Sequence, residues 1–516
     1  MTETMDSRRG TGSSPYSYKT IAPVVKALTS KGGGRYDTIA DAYEKGVFSD
    51  FRLMLPAIDA LDDGNDDIAY FVEAAVIPSY GQDAVPHLIA AMSSEAKKGD
   101  MRRIRLIGKL GGKDVEPLLL HYAESESVRM RAAAIQGMAG RDSLVERLMA
   151  WSTDKKKEVR RAALIALTSC RSEAAIKRAV EGISGKEEYY EYMDENDNSL
   201  FHSALARSLG EVLREVRLYP EADAKQEERY VLILRYIFLL RQKPADELYA
   251  VYSDMLDHAE HYERLGWLSE LCNYASENLE MMATKAALQL LFRMELICPF
   301  VAGSAFRTAA SVYTQHDFYE LYEERAEMEW TGLGSEDSQE LRNYLNEGIR
   351  DVLGMQVQQH DAELWERSNR EFEIGRLRDM PFGTLWDERW LDWTIDQDIT
   401  LLAACLARPD HQRCRDYFKD KLQWQEQAGD HSEQLLPLLL AGAERAGMSE
   451  EARWEGIVAY LESPVSWQIH QFSDDTVEDC FKKLPAHYMS RVAAVQEKFV
   501  WNAAYQIEEV IETMRT

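Results

Sequence analysis

Residues Val128–Leu148 read VRMRAAAIQGMAGRDSLVERL, and residues Val159–Val180 read VRRAALIALTSCRSEAAIKRAV. Each is an Arg-studded, Ala-rich helical stretch, a short break and a second amphipathic stretch, with start-to-start spacing of about 30 residues. The plan recurs upstream as Met101–Leu120 (MRRIRLIGKLGGKDVEPLLL) and, more loosely, as Ile68–Met92 (IAYFVEAAVIPSYGQDAVPHLIAAM). Small Ala132, Ala133, Ala162 and Ala163 let the first helix of a unit approach the second, and Val128, Ala132 and Ile135 at helical spacing form an apolar stripe. One helix pair cannot bury such a stripe, so neighbouring pairs must stack. Gly111, Gly112 and Gly140 fall where a helix has to stop, as left-handed caps permit, and Asp114 and Asp142 are placed to cap the next helix. Carried from Tyr36 to Ile183, the pattern predicts about five antiparallel helix pairs. The fold class expected is all-α, an α-solenoid.

Working outward, residues 1–17 form a polar tail expected to be disordered, and residues 18–184 form the repeat solenoid. Residues 185–199 (GKEEYYEYMDENDNS) are an acidic linker or insertion that breaks the repeat register. From residue 200 to 516 the helical units lengthen, as in Gln226–Arg241, Ala245–Glu260 and Ser338–Leu353, with internal breaks expected near 331–337 and 378–384. Ten of the eleven tryptophans lie beyond residue 250, so this half reads as a second helical domain with large aromatics filling the space between helices. The alternative is a groove with exposed Trp anchors.

The 516 residues carry 60 Lys+Arg against 88 Asp+Glu, a formal charge of −28, with 45% apolar residues. That composition can build a large core, and its sign argues against a surface made wholly for DNA or anionic membrane. Gly and Pro together are 43 residues, which favours long helices over a turn-rich β fold. The N-terminal MTETMDSRRGTGSSP lacks the apolar core of a secretory signal, and no stretch approaches 18 uninterrupted apolar residues. Six cysteines lie scattered without any CxxC, as reduced thiols would in a cytoplasmic protein.

The VRMRAA and VRRAA cores resemble HEAT repeats, in particular the short bacterial type also named after phycobilisome lyases, and the likeness is clearest over residues 66–183. The phrases PYSYKTIAPVVKALTSKGGGRYDTIADAYEKG, DFRLMLPAIDALDD and AVIPSYGQ, within residues 15–92, resemble bacterial HEAT-repeat proteins encoded beside MoxR-type ATPases, SWIM-domain proteins and von Willebrand A-domain proteins. The first resemblance implies the solenoid fold and is nearly silent on function. The second implies an accessory or adaptor subunit, with an AAA ATPase or a von Willebrand A-domain protein as partner.

Chemical motifs are weak. Gly108-Lys109-Leu110, Gly112-Lys113-Asp114 and the KGGGR of Lys31–Arg35 all lack the GK[ST] ending of a phosphate-binding loop. The series Asp194, Asn196, Asn198 suits the start of a calcium loop, yet Ser199 stands where Gly is needed and Leu205 where Glu is needed. His258 and His261 are spaced i, i+3, which is not the HExxH order. His411 precedes Cys414 by three residues, the nearest approach to a ligand pair or a nucleophile with its base, and no second ligand pair or GxSxG elbow joins it. No catalytic residue, metal ligand or cofactor is assigned.

One signal survives. Residues 97–178 hold 19 Lys+Arg against 10 Asp+Glu, a local +9, leaving 41 against 78 elsewhere, or −37. In a solenoid a given helix position recurs on one face, so Arg102, Arg103, Arg105, Arg129, Arg131, Lys155, Lys156, Lys157, Arg160 and Arg161 are expected to line up as a basic ladder. Three readings stand. The arginines pair with carboxylates and helix C-termini of the adjacent repeat. Alternatively, they dock an acidic protein, this chain's own acidic parts included. The third reading is nucleic-acid backbone binding, for which Lys97–Arg178 offers few aromatics, only Tyr122 and Trp151. The function expected is a non-enzymatic interaction scaffold. A HEAT-type lyase or isomerase acting on a prosthetic group is the fold-level alternative.

Overall fold

The computed structural model describes residues 16–93, 96–184, 196–218, 224–241, 243–328, 335–361, 380–423, 435–472 and 475–515. Most of the predicted tail, most of the acidic stretch and parts of both predicted later breaks therefore lie outside the described residues. Among those described, every regular element is helical. Contacts divide the chain into two compact units, residues 1–251 and 252–516.

The first unit opens with α1 (Tyr18–Thr29), α2 (Arg35–Glu44), α3 (Met54–Asp59), α4 (Asp66–Phe71) and α5 (Val85–Ala90). It continues through α6 (Lys98–Leu110), α7 (Glu116–Ala123), α8 (Val128–Gln136), α9 (Val145–Trp151), α10 (Lys157–Thr168) and α11 (Glu173–Ile183). Then come α12 (Ser199–Arg217) and α13 (Ala224–Leu240). From α2 to α11 these are five successive pairs. The even-numbered helices α6, α8 and α10 form one layer, each touching the next, and α7, α9 and α11 lie behind them. The α-solenoid expected from the repeats is what forms.

Two details of the predicted packing are corrected. The buried side of α8 carries Met130, Ala133, Ala134 and Ile135, while Val128 and Ala132 are half-exposed. The helix is turned because α8 crosses α6 at a pair of glycines: a Cβ on Gly108 would sit 2.1 Å from the Gly137 carbonyl oxygen. Main chains meet there with no side chain between them, and the neighbouring Ile104, Ile107 and Ile135 close the core around the crossing. The helix stops also differ. Gly140 is left-handed at φ 72°, but Gly111 ends α6 in extended conformation. Neither predicted aspartate caps its own helix. The short turn at Lys113–Val115 starts with Asp114 already inside it, and Asp142 Oδ1 instead accepts the Arg171 N–H of the following repeat at 2.8 Å.

At α12 the alternation of direction ends. Asn198 caps α12 by accepting the Leu200 N–H at 3.1 Å, and its amide donates to the carbonyls of Thr168 and Cys170, both at 2.8 Å, at the C-terminal end of α10. Helix α11 also starts at that end, from Ser172. So α12 runs parallel to α11. Asn196 reinforces the junction by donating to the Thr168 and Ser169 hydroxyls.

The second unit has the aromatic core its composition predicts. Trp390 is buried among Phe318 (centroids 5.0 Å apart), Trp393 (4.9 Å), Trp386 (5.5 Å) and Tyr322 (5.9 Å), edge to face with the two tryptophans and tilted against the other two rings. A second glycine crossing, Gly303 against Gly348, brings the helix Ala302–Val312 onto Ser335–His360. Arg325 lies over the Phe292 ring at 3.4 Å and pairs with the buried Glu295.

Candidate functional site

The basic ladder is built on the layer of α6, α8 and α10. Their C-terminal ends align, since Gly108 meets Gly137 and Gly140 meets Ser169, so the three helices are parallel and their N-terminal arginines recur on one edge. The structure then sorts those side chains into two groups.

One group turns into the protein. The Arg103 side chain is buried, and its guanidinium donates to Asp100 Oδ1 (3.2 Å), Asp62 Oδ2 (2.5 Å) and the Ile58 carbonyl (3.2 Å). Arg102, also buried, donates to the Leu61 carbonyl (2.8 Å) and Asp66 (2.9 Å). Arg105 forms a bidentate pair with Glu73 at 2.8 and 3.1 Å. Arg131 bridges the Ala123 carbonyl (3.2 Å) and Asp154 (3.1 Å), and Arg160 donates to the Asp154 carbonyl (2.7 Å). Most of the accepting carbonyls close a helix or the turn behind it, where the last backbone oxygens lack intrahelical partners and the dipole is negative. The device extends beyond the predicted ladder. Arg141 reaches the carbonyls of Gly108, Gly111 and Gly112 within 3.0 Å, and Arg178 takes the Ser152 carbonyl and hydroxyl at 2.9 Å. Arg35 joins the Ala27 carbonyl to Asp63. These arginines act as staples between consecutive repeats.

Asp100 shows how completely such a staple is satisfied. It is fully buried and accepts from the Ser93 N–H (3.0 Å), the Ser93 hydroxyl (2.5 Å) and the Lys97 N–H (2.9 Å) besides Arg103. Burial pushes its carboxyl upward, but the Ser93 and Lys97 hydrogen bonds and the Arg103 charge outweigh that, and the net shift is below the usual carboxylate value.

The other group faces out. Arg129, Lys155, Lys156 and Lys157 are exposed, and no ion pair engages their side chains among the described residues. Arg161 is half-exposed on α10. Lys109, absent from the predicted ladder, joins them at the far end of α6. The exposed and half-exposed positions of α6, α8 and α10 comprise Lys98, Met101, Arg105, Lys109, Leu110, Val128, Arg129, Arg131, Ala132, Gln136, Lys157, Glu158, Arg160, Arg161 and Ile165. Glu158 is the one carboxylate. The α7, α9 and α11 layer is mixed, exposing Glu146, Glu173 and Glu181 beside Arg147 and Lys177. The local excess of positive charge is thus concentrated on one face, interspersed with small and apolar side chains.

The remaining candidates resolve into structure. His411 Nδ1 accepts the Cys414 N–H at 3.2 Å as a helix cap, and Asp392 lies 3.4 Å from its Nε2. The Cys414 thiol is buried, and burial pushes it up to about 11, which leaves no thiolate for nucleophilic attack near neutrality. A cavity of about 560 Å³ beside the start of α12 is lined by Ser199, Ser203 and residues 244–247, none of them buried titratable groups.

No family model and no curated protein matches this chain. Among solved structures, the chain is similar to one described as the crystal structure of importin beta in an ammonium sulfate condition. The TM-score is 0.33 at 13% identity, over 95% of this chain and 74% of that one. The solenoid assignment here stands on the helix stacking itself. No described helix is long and apolar enough to cross a membrane.

Proposed function

We propose that the chain is a protein-interaction scaffold whose first unit presents the outward face of α6, α8 and α10 to an acidic protein partner. The observation that carries this is the sorting of the ladder: the inner arginines hold the repeats together, while the side chains of Arg129, Lys155, Lys156, Lys157 and Lys109 make no ion pair among the described residues, and Glu158 is the one carboxylate exposed on α6, α8 and α10 themselves. On this reading internal pairing and a docking surface, both expected from sequence, fall to different residues of the same ladder. The resemblance of residues 15–92 to repeat proteins encoded beside MoxR-type ATPases extends the reading to an accessory role in an ATPase system, with an AAA ATPase or a von Willebrand A-domain protein as the partner. A lyase or isomerase role has no buried polar cluster in the cavity beside α12 to support it. Nucleic acid is the less favoured polyanion, since the face lacks aromatic platforms for bases.

The test is affinity capture by the intact chain and by its R129E/K155E/K156E/K157E variant. The account predicts that the wild type captures an acidic protein after nuclease treatment and the variant does not, with unchanged melting temperature. Equal capture by both places the binding site elsewhere.

A further inference from the structure

We propose that the outward stripe of the last described helix, Trp501–Arg515 in the second unit, is a docking site for a Lys/Arg-rich segment of another protein. Its residues all belong to the second unit, and none of them is part of the basic ladder. Among the described tryptophans Trp386, Trp390 and Trp393 are buried and Trp151, Trp267, Trp454 and Trp467 are half-buried, but Trp501 is 71% exposed. One turn further on, Tyr505 is 72% exposed. Trp501 also has φ 55°, the left-handed region that a bulky side chain enters only at a cost. The chain accepts that strain without gaining burial for the indole ring, whose nearest ring neighbour is the exposed His470 at 6.1 Å.

The opposite side of this helix is anchored by Ala503, Ile507, Val510, Ile511 and Met514, all buried, so the outward side chains stand on a fixed support. Along that outward side the aromatics are followed by Glu508, Glu509 and Glu512, exposed and without an ion-pair partner among the described residues. The positions i, i+4, i+7, i+8 and i+11 make one stripe about 16 Å long at the helical rise. Aromatic faces attract guanidinium and ammonium groups, and the carboxylates extend the same preference along the helix. The unit as a whole has the same sign: residues 252–516 hold 24 Lys+Arg against 49 Asp+Glu, a net −25, whereas residues 1–251 hold 36 against 39. A second copy of this unit or an anionic lipid surface meets repulsion there, and a cationic segment is drawn in.

The experiment measures binding of a fluorescein-labelled twelve-residue helical peptide with Arg at i, i+4, i+7 and i+11, using the full-length chain. The controls are the same peptide with Glu for Arg, and the chain variants W501G/Y505A and E508Q/E509Q/E512Q. Gly accepts the left-handed conformation, so W501G removes the ring without adding strain, and circular dichroism should show an unchanged melt. The expected result is binding of the Arg peptide that weakens as salt rises, no binding of the Glu peptide, and a loss of about tenfold or more in W501G/Y505A. The Gln variant should bind weakly and lose most of the salt dependence. No binding by the wild type, or equal binding by W501G/Y505A, overturns the proposal. So does a wild-type dimer in sedimentation that W501G/Y505A dissolves, because the stripe would then be a self-association face.

Discussion

Replacing Arg103 by Met should destabilise the first unit by about 3 kcal/mol, although residue 103 belongs to the stretch whose charge suggests a binding surface. The magnitude follows from what the guanidinium leaves behind. Removing one partner of a buried ion pair generally costs about 3–5 kcal/mol. Here Asp100 keeps three other donors, from Ser93 and Lys97, and the Asp62 side chain, 40% exposed, can rehydrate. Both moderate the loss, while the Ile58 carbonyl loses its donor as well. Methionine retains most of the apolar stem, so no large cavity adds to the cost. For a unit of this size about 3 kcal/mol corresponds to a fall of roughly 6–12 °C in melting temperature. Thermal unfolding followed by circular dichroism would be compared with Arg129→Met, an exposed position expected to change stability by no more than about 0.5 kcal/mol. If both variants melted within about 1 °C of the wild type, Arg103 would not be an internal staple, and the division of the ladder into inner and outer residues would be wrong.

Other expectations follow from the same contacts. Gly108→Ala should destabilise by at least about 1–3 kcal/mol, because its Cβ would fall 2.1 Å from the Gly137 oxygen, whereas Gly112→Ala, which meets nothing within 4 Å, should be tolerated in urea unfolding. Asp100→Asn should lower the urea midpoint at pH 7, and the gap to wild type should narrow under acid. The Asp100 carboxyl titrates lower folded than unfolded, so its contribution is full above about pH 4 and is lost as pH falls through the folded value. Thiol titration of the native chain at pH 7 should detect at most one reactive cysteine, Cys480, since Cys170, Cys272, Cys298, Cys405 and Cys414 are all buried; rapid reaction of Cys414 would contradict its role as a core side chain.

Much of the first unit was legible in the sequence because its rules are local and repeat. Ala133 and Ala163, the helix breaks and the spacing of about 30 residues all reflect a helix pair that must stack on its neighbours. The rotation of α8 was not legible, since it depends on Gly108 and Gly137 meeting across repeats, and neither glycine looks unusual in its own helix. The sorting of the ladder was hidden for a related reason. Arg102 and Arg129 carry the same charge in the same pattern, and what separates them is whether acceptors such as Asp66 and the Leu61 carbonyl, some 36 to 41 residues away, come within reach. A hint lay in the acidic pair Asp62 and Asp66, four residues apart and some 36 to 41 residues before Arg102 and Arg103. In the second unit the tryptophan count announced aromatic packing, but only the structure singles out Trp501 as the exposed one among the described tryptophans.

The most direct test of the division between stapling and presenting arginines is residue-resolved modification of the native chain with an arginine-specific dicarbonyl, read by mass spectrometry. Arg129 and Arg147 should be modified rapidly, and Arg102, Arg103 and Arg141 should stay protected until the first unit unfolds. Modification of Arg102 and Arg103 as fast as Arg129 in the folded protein would contradict the account.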